Sequence, residues 1–245
     1  MLRLPSYPPH RSHADTDAGY GLGSLWERLS VGRDYIYDST TTRLHSSGMY
    51  GMNNIAAASR QCDPSPGRLA CVDFALASFL GQGVVVDNVA ASLWDPADAD
   101  AAALAALFSL WSAFFISHRA ILTSAASLHI VRPTARTLEA TVHLLPDPAA
   151  PERGMLTVYN PSTATITDTL PLNLYYAGFA PGDRVVVTDV TPAPGVDAPM
   201  PQQRRPRRAP TSHIVGADGG GVFDISVGVD MTPASHAHFV VSAAA

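Results

Sequence analysis

The sequence predicts an α/β segment followed by an all-β part that folds as an antiparallel β-sandwich. Apolar residues recur at helical spacing through the first half of the chain, and from Ser127 onward they alternate with polar ones. The apolar fraction of 47% supplies core material for one large domain or two ordinary ones in 245 residues. The expected divisions are a loose leader over 1–23, the α/β segment over 24–125 and the sandwich over 126–245.

A short helical stretch is expected at the start of the α/β segment, where Leu25, Trp26 and Leu29 share one face, and two longer helices are expected after it. The first of the longer helices covers roughly residues 68–80 and ends at Gly81, because glycine takes the left-handed conformation after a helix without a Cβ clash. The second has Asp95 as its N-cap and Pro96 at its first helical position, and it runs to about Leu122. Its apolar stripe, which is expected to pack on a sheet, consists of Leu104, Leu107, Phe108, Trp111 and Phe115.

The run GVVVDNV (83–89) between the two helices predicts a short buried strand. A continuous β-branched run followed by a helix is typical of a parallel strand that is covered on both faces. Asp87 closes this run and Asn88 follows it. A shorter strand over 35–37 is closed by Asp38 in the same way.

Short strands separated by Pro, Gly and Asp fill the remainder of the chain, and this spacing predicts a sandwich. They are SLHIVRP, LEATVHLLP, GMLTVYNP, TITDTLPLNLYY and DRVVVTDV, with two more around 221–229 and 238–242. A Pro- and Arg-rich stretch near 191–211 predicts an exposed loop. Asn160-Pro161 is expected to form a turn, with the Asn side chain as its cap. Tyr175 and Tyr176 are expected on opposite faces of a strand, one of them in the core.

Composition and charge exclude several classes of function. The net charge of −5 argues against general nucleic-acid binding, which requires a basic face. All 16 basic residues are arginines, so no lysine is present to form a Schiff base or a P-loop. No segment is long and apolar enough to span a bilayer, so no membrane partner is expected. The N-terminus has no apolar stretch typical of a signal peptide, while the compartment and the oligomeric state stay open.

The sequence predicts no metal site and no cofactor. Cys62 and Cys71 either pair or remain buried thiols, and two cysteines do not make a zinc site. His236 and His238 flank Ala237 on a predicted strand and so face the same way, as a metal pair would. No third ligand is evident, and a solvated or partly buried pair is the favoured interpretation. The arginines of RRPRR (204–208) form either a nuclear-localisation or anion patch or, as we favour, a solvated charge run.

Two segments resemble the C-terminal end of a family of glycoside-hydrolase-type proteins. In that family a (β/α)8 TIM barrel, similar in style to that of α-galactosidases, precedes a C-terminal β-sandwich. The resemblance lies in HRAILTSAASLHIVRP (118–133) and in GMLTVYNPSTATITDTLPLNLYYAGF (154–179). Its recognisable features are His118-Arg119, Ile121-Leu122, Arg132-Pro133, Tyr159-Asn160-Pro161 and the run from Leu174 to Gly178. The chain departs from the family at Ala125-Ala126, where an acidic residue is expected, and at Thr134-Ala135, where an Asp-Gly turn is expected.

The resemblance implies that residues 24–125 hold the last βα units of a partial TIM barrel. A complete barrel takes about 250 residues, so at most two or three units are expected here. The chain is therefore expected to be a fragment of a longer gene product, a gene with a mispredicted start, or a degenerate relative. Catalytic groups of a barrel sit at the C-terminal ends of its strands, which makes Asp87 and Asp38 the candidate catalytic residues. Asn88 and Arg132 are the candidate substrate-binding residues, and turn chemistry is the alternative for both aspartates.

The resemblance also implies a function connected with carbohydrate. Glycoside hydrolysis normally requires two carboxyl groups on opposite sides of the scissile bond, and their usual places are on earlier barrel strands. We therefore expect the C-terminal portion of a glycoside-hydrolase-like protein, whose sandwich supports a carbohydrate-active barrel and does not catalyse by itself. The alternative is a stand-alone carbohydrate-binding or interaction module, which requires exposed aromatic residues on one face of the sandwich.

Overall fold

The computed structural model describes residues 67–83, 95, 97–124, 126–134, 136–193, 208–217 and 221–244. The helices are α1 (Arg68–Phe79), α2 (Ala101–Ser117) and α3 (Arg119–Leu122), and 3-10 turns lie at Leu80–Gln82 and Tyr175–Ala177. The strands are β1 (Ala126–Val131), β2 (Glu139–Leu144), β3 (Gly154–Asn160), β4 (Ile166–Asn173), β5 (Arg184–Asp189), β6 (Thr211–Ile214), β7 (Asp224–Met231) and β8 (Ser235–Ala243).

These strands form two antiparallel sheets in the described part of the chain. The large sheet has the order β1-β2-β3-β8-β5-β6, and the small sheet pairs β4 with β7. Alternate residues of the large sheet point towards the small sheet, because side chains alternate along a strand. Val142, Leu156 and Phe239 contribute to this core from β2, β3 and β8, and Leu172 and Val227 contribute from the small sheet. The predicted β-sandwich-like arrangement is confirmed.

The second face of the large sheet is covered by the helices. Trp111 of α2 and Leu76 of α1 belong to a separate apolar core, to which the sheet contributes Met155, Tyr159 and Val240. Every residue of β2 and β3 is buried, because both faces of these strands are covered. An antiparallel sheet commonly exposes one face to water, so the helical layer is the feature that distinguishes this sandwich.

The two longer predicted helices are present, with shifted ends, and the stretch with Leu25, Trp26 and Leu29 lies outside the described residues. The first ends at Phe79, Gly81 lies inside the 3-10 turn, and Gly83 takes the left-handed conformation at φ 82°. The helix expected from Asp95 begins at Ala101, because the Asp95 carboxylate accepts a hydrogen bond from the Ala97 amide at 2.9 Å and closes a turn.

The described residues contain no barrel strand, and the partial TIM barrel stays a prediction. The strands expected over 83–89 and 35–37 lie almost wholly outside the described residues. Of the segment 24–125, the described part consists of α1, α2, α3 and the turns beside them. None of the helices described is long and apolar enough to cross a membrane.

One strand of the sandwich was not predicted, and one expectation about the sandwich is wrong. Thr211–Ile214 forms the edge strand β6 directly after the Pro- and Arg-rich stretch and is not among the predicted strands. Tyr175 and Tyr176 lie in a 3-10 turn instead of a strand, so neither enters the core and both are exposed. The turn predicted at Asn160 is confirmed, since its Nδ2 donates to the carbonyls of Ala164 and Met231.

Candidate functional site

The helix-facing side of the large sheet carries a group of buried polar side chains. His143 on β2, Thr157 on β3, and His236 and His238 on β8 all point towards the helices. Thr157 lies opposite His238 and Tyr159 lies opposite His236 in the β3–β8 register, which places these residues side by side. We call the set of Asp73, Gln82, Trp111, His143, Thr157, His236 and His238 the histidine cluster.

Asp73 joins three elements of the fold inside this cluster. Its Oδ1 accepts a hydrogen bond from Trp111 Nε1 of α2 at 2.7 Å. Its Oδ2 lies 2.9 Å from Nε2 of His236 on β8. Because all three residues are buried, these bonds are made away from water and fix both helices relative to the sheet.

Gln82 makes a second connection between the helical layer and the sheet. Its Nε2 donates to Thr157 Oγ1 at 2.8 Å, and its Oε1 lies 3.1 Å from His143 Nε2. Thr157 Oγ1 in turn donates to the backbone carbonyl of Thr141 at 3.2 Å. The side chain of Gln82 is thus engaged at both ends, as a buried amide should be.

His238 is the most enclosed member of the histidine cluster. It is fully buried, and neither of its ring nitrogens has a hydrogen-bond partner in the part of the chain that the structure describes. Its ring packs edge-to-face against Trp111 at 5.3 Å and Phe114 at 5.1 Å between centroids. A Cβ at Gly81 would lie 2.4 Å from its Nε2, so the backbone of the 3-10 turn closes the remaining side.

Burial also keeps two members of the histidine cluster, His143 and His238, uncharged. Desolvation lowers the pKa of His143 to about 4. Desolvation, reinforced by the neighbouring histidines His236, His118 and His143, lowers the pKa of His238 well below its ordinary value of 6.5. Both imidazoles are therefore neutral at pH 7. The described residues contain no group of three or more His, Cys, Asp or Glu side chains placed to hold a metal ion.

None of the candidate catalytic or substrate-binding residues predicted from the sequence belongs to the histidine cluster. Asp87, Asp38 and Asn88 lie outside the described residues, so their predicted roles remain predictions. Arg132 lies directly after β1 and is exposed. Cys71 is disulfide-bonded, while Cys62 lies outside the described residues.

Sequence reasoning found part of the histidine cluster and missed the rest. The expectation that His236 and His238 face the same way is confirmed, and both side chains are buried more completely than the solvated or partly buried pair that the sequence predicts. Asp73 and Gln82 were missed. An acidic residue within the otherwise apolar run LACVDFALASF is a signal for Asp73, because a carboxylate enters a core only when it is hydrogen-bonded there.

A second site lies at the end of the small sheet, on the surface. Tyr175 is 55% exposed and Tyr176 is 54% exposed. Their ring centroids lie 5.2 Å apart at an interplanar angle of 81°, and the Tyr175 ring also meets Phe223 at 4.9 Å and 71°. Asn173 Nδ2 donates to Asp224 Oδ1 at 2.8 Å beside them. We call Tyr175 and Tyr176 the tyrosine pair.

The turn that carries the tyrosine pair rests on a buried arginine. Arg153 precedes β3, and its Nε and Nη2 donate to the carbonyl of Ala177 at 2.9 and 2.5 Å. Its guanidinium lies 3.8 Å from the ring centroid of Phe179, a cation–π contact. Gly178 closes the turn at φ 72°, where its amide donates to the Tyr175 carbonyl.

Comparison of the chain with models of protein families and with curated proteins finds no match. Function is therefore inferred from the histidine cluster, the tyrosine pair and the resemblance described above.

Proposed function

We propose that this chain is the C-terminal portion of a glycoside-hydrolase-like protein, in which the sandwich supports a carbohydrate-active (β/α) barrel and does not itself hydrolyse glycosides. The proposal rests on the resemblance of 118–133 and 154–179 to such proteins. The structural observation that favours it is the attachment of α1 and α2, which fall within the predicted barrel segment, to the large sheet through Asp73.

A supporting domain has to hold its partner in one orientation, and the histidine cluster is suited to that task. An apolar contact between helices and a sheet tolerates small shifts, since hydrophobic attraction is not directional. The hydrogen bonds that Asp73 accepts and Gln82 donates are directional, and a displaced helix would leave buried polar groups unpaired at a cost of about 1–3 kcal/mol each. The histidine cluster therefore favours a single arrangement of α1 and α2 on the large sheet.

The buried carboxylates of the described residues are already engaged within the protein and do not reach a sugar. The buried carboxylates in the described part of the chain are Asp73, Glu139 and Asp189. Each accepts a hydrogen bond from a neighbouring residue of the protein. A glycosidase needs two carboxyl groups that reach the substrate from either side, about 5–9.5 Å apart. Such a pair, in this proposal, belongs to the barrel.

Two measurements test this proposal, one on the protein from its native source and one on the 245-residue chain alone. We expect a mass above the 25.9 kDa of this sequence, with an upstream region that supplies the earlier barrel strands. We also expect no turnover of aryl-glycosides by the 245-residue chain alone. A native protein of the same mass as this chain would overturn the proposal. Turnover by the chain alone that Asp87→Asn abolishes would overturn the non-catalytic role.

A stand-alone carbohydrate-binding module is the second candidate. The observation that favours it is the exposed tyrosine pair, because such a module requires exposed aromatic side chains. Retention of the purified chain on a polysaccharide resin tests it. A folded chain that is retained on none of several polysaccharides would exclude this candidate and leave the supporting role in place.

A further inference from the structure

We infer that the tyrosine pair, with Asn173 and Asp224 beside it, is a binding site for one ring of a neutral saccharide. This inference rests on the association with carbohydrate in the proposed function and names the residues that would make the contact. It does not depend on whether a barrel precedes the sandwich.

The tyrosine pair differs from the other exposed apolar side chains. In the described part of the chain the exposed large hydrophobic residues are Ile116, Ile214, Val222, Tyr175 and Tyr176. The two tyrosines form a contiguous aromatic surface, and Tyr175 also contacts the ring of Phe223. Each phenol combines a large apolar face with a polar tip, which suits a ligand with C–H groups on its faces and hydroxyls at its edge. A sugar ring has that distribution of groups.

The angle between the rings limits how much ligand fits. Two rings inclined at 81° do not form a flat platform on which successive sugar units could stack. The rings meet edge to face, so one pyranose ring would stack on the face of one phenol at a time. Two tyrosines also offer far less apolar area than the roughly 1,000 Å² that a specific protein interface buries. The geometry thus favours a small ligand unit over a protein partner.

The polar neighbours select for a ligand without negative charge. Asp224 is held in place, since its Oδ1 accepts from Asn173 Nδ2 at 2.8 Å. Its Oδ2 packs against Gly221, where a Cβ would lie 2.2 Å away. Carboxylate oxygens accept hydrogen bonds from sugar hydroxyls and repel sulfate or uronate groups. The ligand is therefore a neutral saccharide, and a sulfated glycan serves as the negative probe.

The turn that carries the tyrosine pair, and the Tyr175 ring within it, are held by contacts inside the protein. The amide of Tyr175 donates to Asn173 Oδ1 at 3.1 Å, and Arg153 Nε donates to the carbonyl of Ala177 in the same turn. Phe223 packs against the Tyr175 ring at 4.9 Å. A prearranged site loses little conformational entropy on binding, which favours a weak ligand such as a single sugar ring.

Affinity electrophoresis of the purified chain tests the inference. Native gels contain galactomannan, xyloglucan, mixed-linkage β-glucan or soluble starch, and a gel with heparin supplies the sulfated probe. We expect at least one neutral polysaccharide to retard the chain, and we expect the tyrosine variants to leave retardation by heparin unchanged, because the arginines of RRPRR (204–208) and not the tyrosine pair would bind it. Tyr175→Ala and Tyr176→Ala are each expected to weaken retardation roughly tenfold or more, as the loss of a central aromatic contact does.

Control variants separate loss of the site from loss of the fold. Ile116→Ala removes another exposed apolar side chain, on α2, and is expected to leave retardation unchanged. Tyr176→Phe retains the ring and is expected to retain most of the binding. If Tyr175→Ala lowers the thermal midpoint, Tyr175→Leu is used in its place, because it keeps apolar bulk without an aromatic face.

Each outcome decides the inference. Retardation that the tyrosine variants lose and Ile116→Ala keeps supports the site. Retardation that persists in both tyrosine variants overturns the site and leaves carbohydrate binding elsewhere on the chain. A folded chain retarded by none of the neutral polysaccharides also overturns the site, while the supporting role is decided separately by the mass and turnover measurements.

Discussion

The carboxylate of Asp73 and the indole of Trp111 form a buried hydrogen bond of 2.7 Å that ties α1 to α2. Trp111 is completely buried and Asp73 is 4% exposed, so the bond is shielded from water. The same carboxylate reaches His236 on the large sheet at 2.9 Å. One side chain therefore joins both helices and the sandwich, and its removal has a large expected effect.

Asp73→Ala is expected to lower the free energy of unfolding by roughly 2–5 kcal/mol, because it leaves the Trp111 and His236 ring nitrogens without their partner. Urea unfolding followed by Trp fluorescence and far-UV circular dichroism measures the change. Asp230→Ala is the matched control, since Asp230 accepts one exposed hydrogen bond from Thr167 and its loss should cost less than about 0.5 kcal/mol. Equal losses in the two variants would contradict the role given to Asp73.

Stability is expected to fall as the pH is lowered from 6.5 towards 4. In the unfolded chain His143 takes up its proton near pH 6.5, whereas burial lowers its pKa in the folded chain to about 4. Above pH 6.5 the His143 side chain is neutral in both the folded and the unfolded chain, and its protonation costs no stability. Between pH 6.5 and 4 only the unfolded chain binds the proton, so the free energy of unfolding falls. The full effect for His143 is roughly 3 kcal/mol, and the buried His238, whose pKa is also lowered, adds to it.

Urea midpoints measured between pH 4 and 8 test this pH dependence. The interval from 6.5 to 5 is the informative one, because exposed carboxylates titrate mostly below it. The groups that border the two histidines include the Asp73–His236 pair and the His118–Glu152 pair. His238→Leu is expected to make the slope shallower, and an unchanged slope in this variant would contradict the assignment of the effect to His238.

Gly81→Ala is expected to destabilise the helical layer. The new Cβ would lie 2.4 Å from His238 Nε2 and 3.2 Å from Trp111 Cζ3, so the packed rings have to move. Overpacking of this kind costs about 1–3 kcal/mol. Gly228→Ala is the control, since its nearest neighbour is Arg208 Nη1 at 3.9 Å.

A double variant identifies the cause of that loss. Gly81→Ala combined with His238→Ala is expected to cost less than the sum of the two single changes, because the missing imidazole leaves room for the new methyl group. Strict additivity of the three unfolding free energies would show that the methyl group and the imidazole do not collide.

Arg153→Met is expected to loosen the turn that carries the tyrosine pair. The variant keeps an apolar stem but loses both donors to the Ala177 carbonyl and the contact with the Phe179 ring. The expected loss is about 2–3 kcal/mol, and retardation by a neutral polysaccharide should weaken as well. Arg184→Met, on the exposed side of β5, is the control and should change neither quantity. Full binding by Arg153→Met would show that the turn needs no support from Arg153.

The sandwich was predictable from local patterns, whereas the contacts between its layers were not. Alternation of apolar residues marks β2, β3 and β8, because one face of each strand meets the small sheet. Their other face carries His143, Thr157 and His238, and polar residues at these positions do not by themselves indicate a second core. They are buried because α1 and α2 cover them, and only the tertiary fold brings those helices there.

Local hydrogen bonds and one glycine account for the remaining differences between the predicted elements and those in the structure. The Asp95 and Asp98 side chains accept from the amides of Ala97 and Asp100, and these turns postpone the start of α2 to Ala101. The left-handed Gly178 converts the end of a predicted strand into a 3-10 turn, which exposes both tyrosines. Neither effect changes the spacing of the apolar residues, so that spacing does not predict them.

Native-state hydrogen exchange, read by mass spectrometry, tests most directly whether the helical layer and the sandwich form the single unit that a supporting role requires. Peptides from α2 are compared with peptides from β3 and β8 in the 245-residue chain. The result we predict is that the most protected amides of α2 and of both strands open with free energies that agree within about 1 kcal/mol. Fast exchange throughout α2, with β3 and β8 still protected, would contradict it, because the helices would then open without the sheet.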